Sequence, residues 1–593
     1  MSPSRTIEVP VFICGGGGCG LAAAVMLSDL GVDHLLVERH PTTAIMPKAH
    51  VLNVRTMEVF GQHGLADEVY RTGAPQERNA KMRWYTSLGG DSPWDGRPLH
   101  DVDAWGSNSL RERYRRYSRY RHANLPQIML EPLLRREAEA RGRGQILFDH
   151  ELTSLREDAD VVVASVADRR SGEEIEVHAR YVIAADGGKS VGSWLGIEME
   201  GPEPFVETVS VYFRADLSPY LDNDDSLIRS FIRPSLEGAW LRTGAVAHGP
   251  KRWDRHCEEW TLSVTLTSAQ KDGELSEEEA VAGVRERLGL PDLELDVIRT
   301  SRWQIEALVA ARYREGRVFL AGDAAHRHSP MGGLGLNTGI QDAHNLTWKL
   351  ARIVAGDAAP DLLDSYESER RPVGRRNVEF ATFAFFNHLA VTAGFGVMAD
   401  APAAHNRDAL ERLFADSADG ATRRGRLAGF FDTLRMEYQC ADLDLGFEYA
   451  DSEAVSPDGS APPPRDPTGL EYVPVARPGR RRPHAWLERE SELLSTHDLL
   501  SPGAFLVLTG DDGDDWCEAA AEVGAVGHAI GPEAKLRDRY GEWKGVSGID
   551  PGGAVLVRPD GFVCFRAPAA VADPAAELRA ALGRALGRVR ETV

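Results

Sequence analysis

Little in this chain marks a secreted, metal-bound or membrane-embedded protein. Its 593 residues include only six cysteines, Cys14, Cys19, Cys257, Cys440, Cys517 and Cys564, none in a CxxC or Cys/His metal spacing. Without such spacing there is no disulfide framework or zinc site to build on, and the thiols read as reduced groups of a cytoplasmic protein. The opening MSPSRTIEVP has no charged region followed by an apolar run, so it reads as carrying no secretory signal. The longest apolar stretch, Phe380 to Met398, is interrupted by Asn387 and His388, and reads as a buried helix or an interface rather than a membrane span. Basic residues are outnumbered, 68 Lys and Arg against 90 Asp and Glu, for a net charge of −22. That balance argues against nucleic acid or an anionic membrane as the main partner.

What is present is glycine in two telling places. Val9 to Cys14 has the apolar run of a strand, and Gly15, Gly17 and Gly20 follow it in a G-x-G-x-x-G spacing. Leu21 to Leu30 then reads as a helix, and His34 to Val37 as a second strand ending at Glu38, 18 positions after Gly20. Glycines at that spacing permit a tight turn, close approach to a pyrophosphate and helix–strand packing, and the acidic residue binds ribose hydroxyls. This is a dinucleotide site.

The second place is Gly316 to Leu350, GRVFLAGDAAHRHSPMGGLGLNTGIQDAHNLTWKL. A short strand, Val318 to Ala321, ends at Gly322 and Asp323, a carboxylate placed to accept hydrogen bonds from sugar-like hydroxyls. Four glycines between Pro330 and Gly339 let backbone approach a flat ligand, and a helical pattern begins at Leu336. A donor-rich loop opening a helix supplies positive partial charge where a reduced flavin gathers electron density.

The Gly-Asp segment with Pro330, Gly333, Gly335, Asn337 and Asp342 resembles the class A, single-component FAD-dependent aromatic monooxygenases. Its HRHSP variant is most similar to the phenol and 2,4-dichlorophenol hydroxylase branch. The resemblance implies an α/β, Rossmann-type GR2 FAD-binding fold like that of p-hydroxybenzoate hydroxylase. An inserted β-sheet substrate domain and a C-terminal thioredoxin-like domain complete it. On that scheme residues 1–200 and 303–395 form the FAD-binding domain and 201–302 the substrate sheet. Residues 396–480 form a helical region and linker, and 481–593 the thioredoxin-like domain, with Ala576 to Val589 as its closing helix.

The resemblance also assigns residues. Asp323 would hold the ribityl chain, and Gly335, Leu336 and Asn337 would face the isoalloxazine. Pro330 would border the oxygen pocket, and Gln127 would touch FAD. Asp186, in the RYVIAADGGKS fingerprint, would lie near the flavin pyrophosphate and the incoming nicotinamide nucleotide. Lys48 stands where many members have Arg, and the basic residue usual three places after Ser190 is Ser193. His50 occupies the position of a phenol-hydroxylase Asp beside the substrate. As a neutral imidazole it serves as base or substrate anchor, or else only bonds a neighbouring carbonyl.

The implied activity is NADPH- or NADH-consuming hydroxylation of a small phenolic substrate by O2 through a flavin C4a-hydroperoxide. Baeyer–Villiger or ring-modifying oxygenation of a polycyclic natural product is the alternative. A non-catalytic FAD-fold binding protein is a remote third, and a homodimer is possible within the family. Trp84 to Gly106 reads as loops, and Trp260 to Thr267 as a strand. The basic run Arg111 to Arg121 reads as a solvated face or a phosphate-attracting patch. The charges of Leu362 to Pro372 read as surface pairs, and Asp451 to Arg482 as a linker.

Overall fold

A computed structural model describes residues 5–204, 206–236, 240–265, 276–398 and 401–588. Its centre is an eight-stranded mixed sheet in which Arg5–Cys14 runs parallel to His34–Glu38 on one side and Glu174–Ala184 on the other. Gly144–Phe148 and Val318–Leu320 extend the parallel set, and the hairpin of His150–Asp158 and Val161–Asp168 pairs antiparallel with Glu174–Ala184. The central strands are continuous apolar runs because helices cover both faces. Gly18–Asp29, Gln127–Arg141 and Leu334–Val354 bring their apolar residues into this core. Leu334–Val354 starts two residues earlier than its pattern suggests and is buried on nearly every side, Asp342, His344 and Lys349 included.

A seven-stranded sheet stands over the ends of these strands, in the order Asp296–Ile305, Val206–Arg214, Glu259–Thr265, Trp240–Ala247, Ile228–Pro234, Lys81–Tyr85, Pro98–Asp103. The strand expected at Trp260 to Thr267 is thus found, although residues 266 and 267 lie outside the described residues. The last two strands of the sheet correct the reading of Trp84 to Gly106 as loops. Met82 and Trp84 alternate with Lys81, Arg83 and Tyr85 as a half-buried strand must, but the glycine- and proline-rich connection to Pro98 hides the hairpin in sequence. One face of the sheet packs Val209, Val211, Phe231, Ala245 and Leu262 against Ala280, Val284 and Leu288 of the helix Glu277–Leu288. The other face turns towards the flavin-type core, where Trp84 and Ile232 share a cluster with Val51.

The C-terminal domain carries a four-stranded sheet ordered Val526–Ala529, Leu506–Thr509, Ala554–Val557, Val563–Ala567, flanked by Asp514–Glu522 and Pro574–Ala585. A β-α-β unit followed by an antiparallel hairpin and a helix is the thioredoxin-like arrangement. Its closing helix begins two residues before Ala576 and stops at Ala585, with Val589 outside the described residues. All six cysteines are free.

Charge reads differently in three dimensions. Glu369 and Arg370, expected in surface pairs, are buried: Glu369 meets Lys349 and Arg558, and Arg370 meets Asp342. Arg480, Arg481 and Arg482 of the expected linker are buried too, and Arg481 grips Glu58. In the basic run, Arg113 pairs with Glu471 and Arg119 with Asp498, while Tyr114 and Tyr117 are buried. Glu58 lies 423 residues from Arg481 and Glu471 lies 358 from Arg113, so sequence shows the charges and not their burial. By contrast, the helix Asp364–Ala393 leaves Phe383, Phe386 and Leu389 about half exposed. No helix among the described residues is long and apolar enough to cross a membrane.

Candidate active site

The first strand–helix turn admits only glycine at two points. Gly15 has φ of +109°, and a Cβ there would sit 2.2 Å from Ala185 O. A Cβ on Gly20 would sit 2.0 Å from Gly15 O. The helix Gly18–Asp29 has no side-chain cap from Gly17; Gly18 N is taken by Glu131, and the rest of the first turn and the positive end are offered to an anion. Glu38, at the end of the neighbouring strand, accepts from Gly16 N at 2.7 Å and His40 N at 2.9 Å.

Glu131 was not singled out by the sequence, and it proves central here. Its carboxylate accepts from Gly18 N (3.1 Å), Ala44 N (2.6 Å) and Gln127 Nε2 (2.5 Å). It thereby holds the glycine turn, the segment before Lys48 and the expected FAD contact in one arrangement. Burial pushes its carboxyl above the usual range against these bonds, Gln127's foremost. The one available sequence signal is its i, i+4 spacing from Gln127. The side chain of Lys48 is exposed and forms no bond among the described residues.

Asp186 spends its carboxylate on its own turn, accepting from Gly188, Ser190 and Val191 N–H groups at 2.8–3.1 Å. Arg327 ties this turn to the Gly-Asp segment, donating to Gly188 O at 2.8 Å while pairing with Glu306 at 3.0 Å. The Asp323 carboxylate is exposed and forms no bond among the described residues, which leaves it free for ligand hydroxyls. Below it, burial raises the Asp342 carboxyl, but His326 and Arg370, at 2.6 and 2.8 Å, outweigh that and hold it ionised. Asp342 also accepts from Gly322 N, so one buried charge fixes the Gly-Asp turn to the long helix.

The loop from Pro330 runs through Gly332 and Gly333, both left-handed at φ +78° and +63°, into the helix at Leu334. Asn337 locks it: its amide donates to Gly333 O (2.7 Å) and Val51 O (2.9 Å) and accepts from Asn53 N (2.9 Å). Leu336 reaches Gly18, where a Cβ would lie 2.5 Å from Leu336 Cδ1. The two glycine segments, more than 300 residues apart, thus line one groove.

His50 stands between this groove and the roof sheet. Asn124 Nδ2 donates to its Nδ1 at 2.9 Å, so the neutral ring carries its hydrogen on Nε2. Enclosure pushes its pKa down to about 4. His248, at the end of the strand Trp240–Ala247, meets His50 edge-on at 6.1 Å between ring centres. Its Nε2 lies 2.6 Å from Thr261 Oγ1, and its Nδ1 is buried without a partner. Tyr212 packs edge-on against His248 and bonds Glu259. His248 escaped sequence reading because nothing local distinguishes it.

The residues present suit a dinucleotide with a flat ring. There is a glycine-only turn and a helix N-terminus for the diphosphate, Glu38 and Asp323 for hydroxyls, and a second helix start at Gly335–Asn337 for the ring. A nucleotide-binding fold whose ring site is roofed by a sheet defines a flavoprotein of the oxygenase type.

Comparison with known proteins places it further. Residues 8–381 match the family described as FAD binding domain, and residues 475–589 that described as aromatic-ring hydroxylase, C-terminal. The chain is 34% identical to 2,4-dichlorophenol 6-monooxygenase of Delftia acidovorans, covering 98% of this chain and 99% of that one. It is 35% identical to tetracenomycin A2 monooxygenase-dioxygenase of Streptomyces glaucescens, covering 99% and 98%. Among solved structures, the flavin-dependent monooxygenase PieE in complex with FAD and substrate superposes with a TM-score of 0.90 at 35% identity, covering 99% of this chain and 100% of that one. The chain belongs to the FAD-dependent aromatic-ring hydroxylases.

Proposed function

We propose that this protein hydroxylates a phenolic ring with O2, consuming NADH or NADPH, at the groove between the Pro330–Asn337 loop and the roof sheet. One observation carries the reading: His50, held at Nδ1 by Asn124, borders that groove in edge contact with His248 of the roof. Bound FAD supplies the oxygen activation that no side chain of the groove can perform.

The protein's share is placement and shielding. The glycine turn and Gln127, held by Glu131, seat the cofactor, with Glu38, Asp186 and Asp323 along its length and Lys48 at its edge. Gly335, Leu336 and Asn337 aim N–H groups of the helix start at the ring, and Pro330 walls the oxygen side. His50 donates through Nε2 to the substrate oxygen. With a pKa near 4 it is a weak base, so it anchors the phenol rather than removing its proton. Oxygenation of a polycyclic substrate is the second reading, favoured by the likeness to tetracenomycin A2 monooxygenase-dioxygenase, and NMR of the product locates the added oxygen.

Purified protein is expected to show a flavin spectrum and to oxidise NADH or NADPH faster when a phenol is added. Flavin-loaded protein indifferent to every phenol and hydroxylated polycycle would contradict the reading.

A further inference from the structure

The register of the roof sheet fixes which side chains look down into the groove. Ile228 pairs with Val246, Ser230 with Gly244 and Ile232 with Arg242; Val246 also pairs with Thr261, Thr261 with Tyr212, and Ser263 with Ser210. Directly paired residues share a face, and so do alternate residues along a strand. The groove face is therefore Arg242, Gly244, Val246 and His248 on one strand, with Ser230, Ser210, Ser263 and Thr261 beside them. Along that strand Thr243, Ala245 and Ala247 are buried against the helix side, while Arg242, Gly244 and Val246 keep partial exposure. The middle of the roof face is small and hydroxylated.

The two ends of this face differ. At one end are His248, with its buried unpaired Nδ1, and His50. At the other is Arg242, whose guanidinium forms no hydrogen bond or ion pair among the described residues. Burial lowers its pKa to about 10, and Tyr438 and Glu437 oppose the shift. Glu437 is already engaged, by Gly332 N at 3.0 Å and His388 Nε2 at 2.6 Å. A largely enclosed cation with no hydrogen-bonded partner costs stability unless something else meets it. Arg242 and His248 are six residues apart on one strand, a backbone separation of roughly 20 Å. The arginine side chain shortens the gap, but a single ring anchored at His50 does not reach Arg242.

We infer that the substrate is a fused multi-ring phenol carrying an acidic oxygen function, a carboxylate or enolised carbonyl, which Arg242 binds at the end of the roof remote from His50. The inference rests on the hydroxylase reading and names its substrate class. Gly244 and the serines present only small side chains to the intervening rings, and Arg242 gives the orientation a single-ring phenol would lack. Arg242 acts as a specificity residue for substrate and takes no part in holding the cofactor.

The test uses flavin-loaded full-length protein and four probes: phenol, p-hydroxybenzoate, chrysophanol and rhein. The last two are the same dihydroxyanthraquinone bearing a methyl or a carboxyl group. Binding is read from the perturbed flavin absorbance, and turnover from NAD(P)H oxidation. Rhein is expected to bind more tightly than chrysophanol by about tenfold or more, and both anthraquinones more tightly than either single ring. Arg242→Met is expected to erase the rhein advantage while leaving chrysophanol binding and flavin content unchanged, and Arg242→Lys to restore part of it. Equal binding of rhein and chrysophanol, or an Arg242→Met protein that still prefers rhein, overturns the inference. Acceleration by phenol with no binding of the fused rings overturns it too and leaves the hydroxylase reading standing. Flavin-loaded protein in which none of the four quickens NAD(P)H oxidation counts against the hydroxylase reading itself.

Discussion

His50 carries opposite demands: it must be polar enough to hold a phenolic oxygen and sit where charge is disfavoured. Enclosure resolves this by keeping the ring neutral throughout the neutral pH range, with its pKa near 4 instead of the ordinary 6.5. The linkage has a definite sign. Between pH 6.5 and about 4 the unfolded chain binds the proton more readily than the folded one, so stability falls as pH falls through that window. His50→Gln should flatten that decline in a thermal-melt series, and an unchanged slope would show that the ring is not held neutral by its surroundings. The same variant should weaken phenol binding by roughly ten- to hundredfold while flavin content stays constant, because only a substrate hydrogen bond is lost. Glu131 makes a complementary case. Glu131→Ala should release FAD by freeing both Gln127 and the Gly18 turn, measured as a raised dissociation constant for added FAD, whereas Glu131→Gln should retain much of the affinity. Of these residues, His50 and Gln127 are legible in the sequence because they sit in recognisable segments. His248 and Glu131 are not, since their meaning comes from partners on other elements.

At the scale of elements, the two glycine segments show why some of the site is legible and some is not. The turn at Gly15–Gly20 is a local device. Strand, glycines, helix and Glu38 all lie within one short stretch, so spacing alone reveals it. Gly20→Ala should abolish flavin binding, since a Cβ would sit 2.0 Å from Gly15 O. Gly31→Ala is the matched control. Gly31 is also left-handed, at φ +74°, but has nothing within 4 Å of its Cβ, so the change should cost about 1–2 kcal/mol of stability and spare the flavin. Equal flavin loss in both variants would mean that general destabilisation, not the turn, governs binding. The roof is the contrary case. Lys81–Tyr85 and Pro98–Asp103 join a sheet whose other strands begin more than a hundred residues later, and no local pattern announces that pairing.

Across the whole molecule, buried charge binds the C-terminal domain to the flavin-type core. Arg558 meets Glu369 and Asp560 with all three side chains buried, and Arg481 meets Glu58 in the same way. Burial alone would raise the Glu369 carboxyl, yet Arg558 and Lys349 hold it well below the usual range, while burial draws Lys349 down to about 8. Arg558→Met leaves two buried carboxylates with one cation fewer, and should cost about 3–5 kcal/mol in urea unfolding, part of it recovered in a double variant with Glu369→Gln. A cost below 1 kcal/mol would mean the domain is not clamped by this network. The sequence announced a separate domain and a linker, and it could not announce that the linker's arginines are buried. What unites the three scales is one roofed groove built to hold a ring against an oxygen-activating flavin. The most direct test is a turnover under heavy-isotope dioxygen with NAD(P)H and an accepted phenol, read by mass spectrometry. The expected product is heavier by one oxygen atom and carries the isotope from dioxygen. NAD(P)H consumption that yields only hydrogen peroxide, or product oxygen drawn from water, would contradict it.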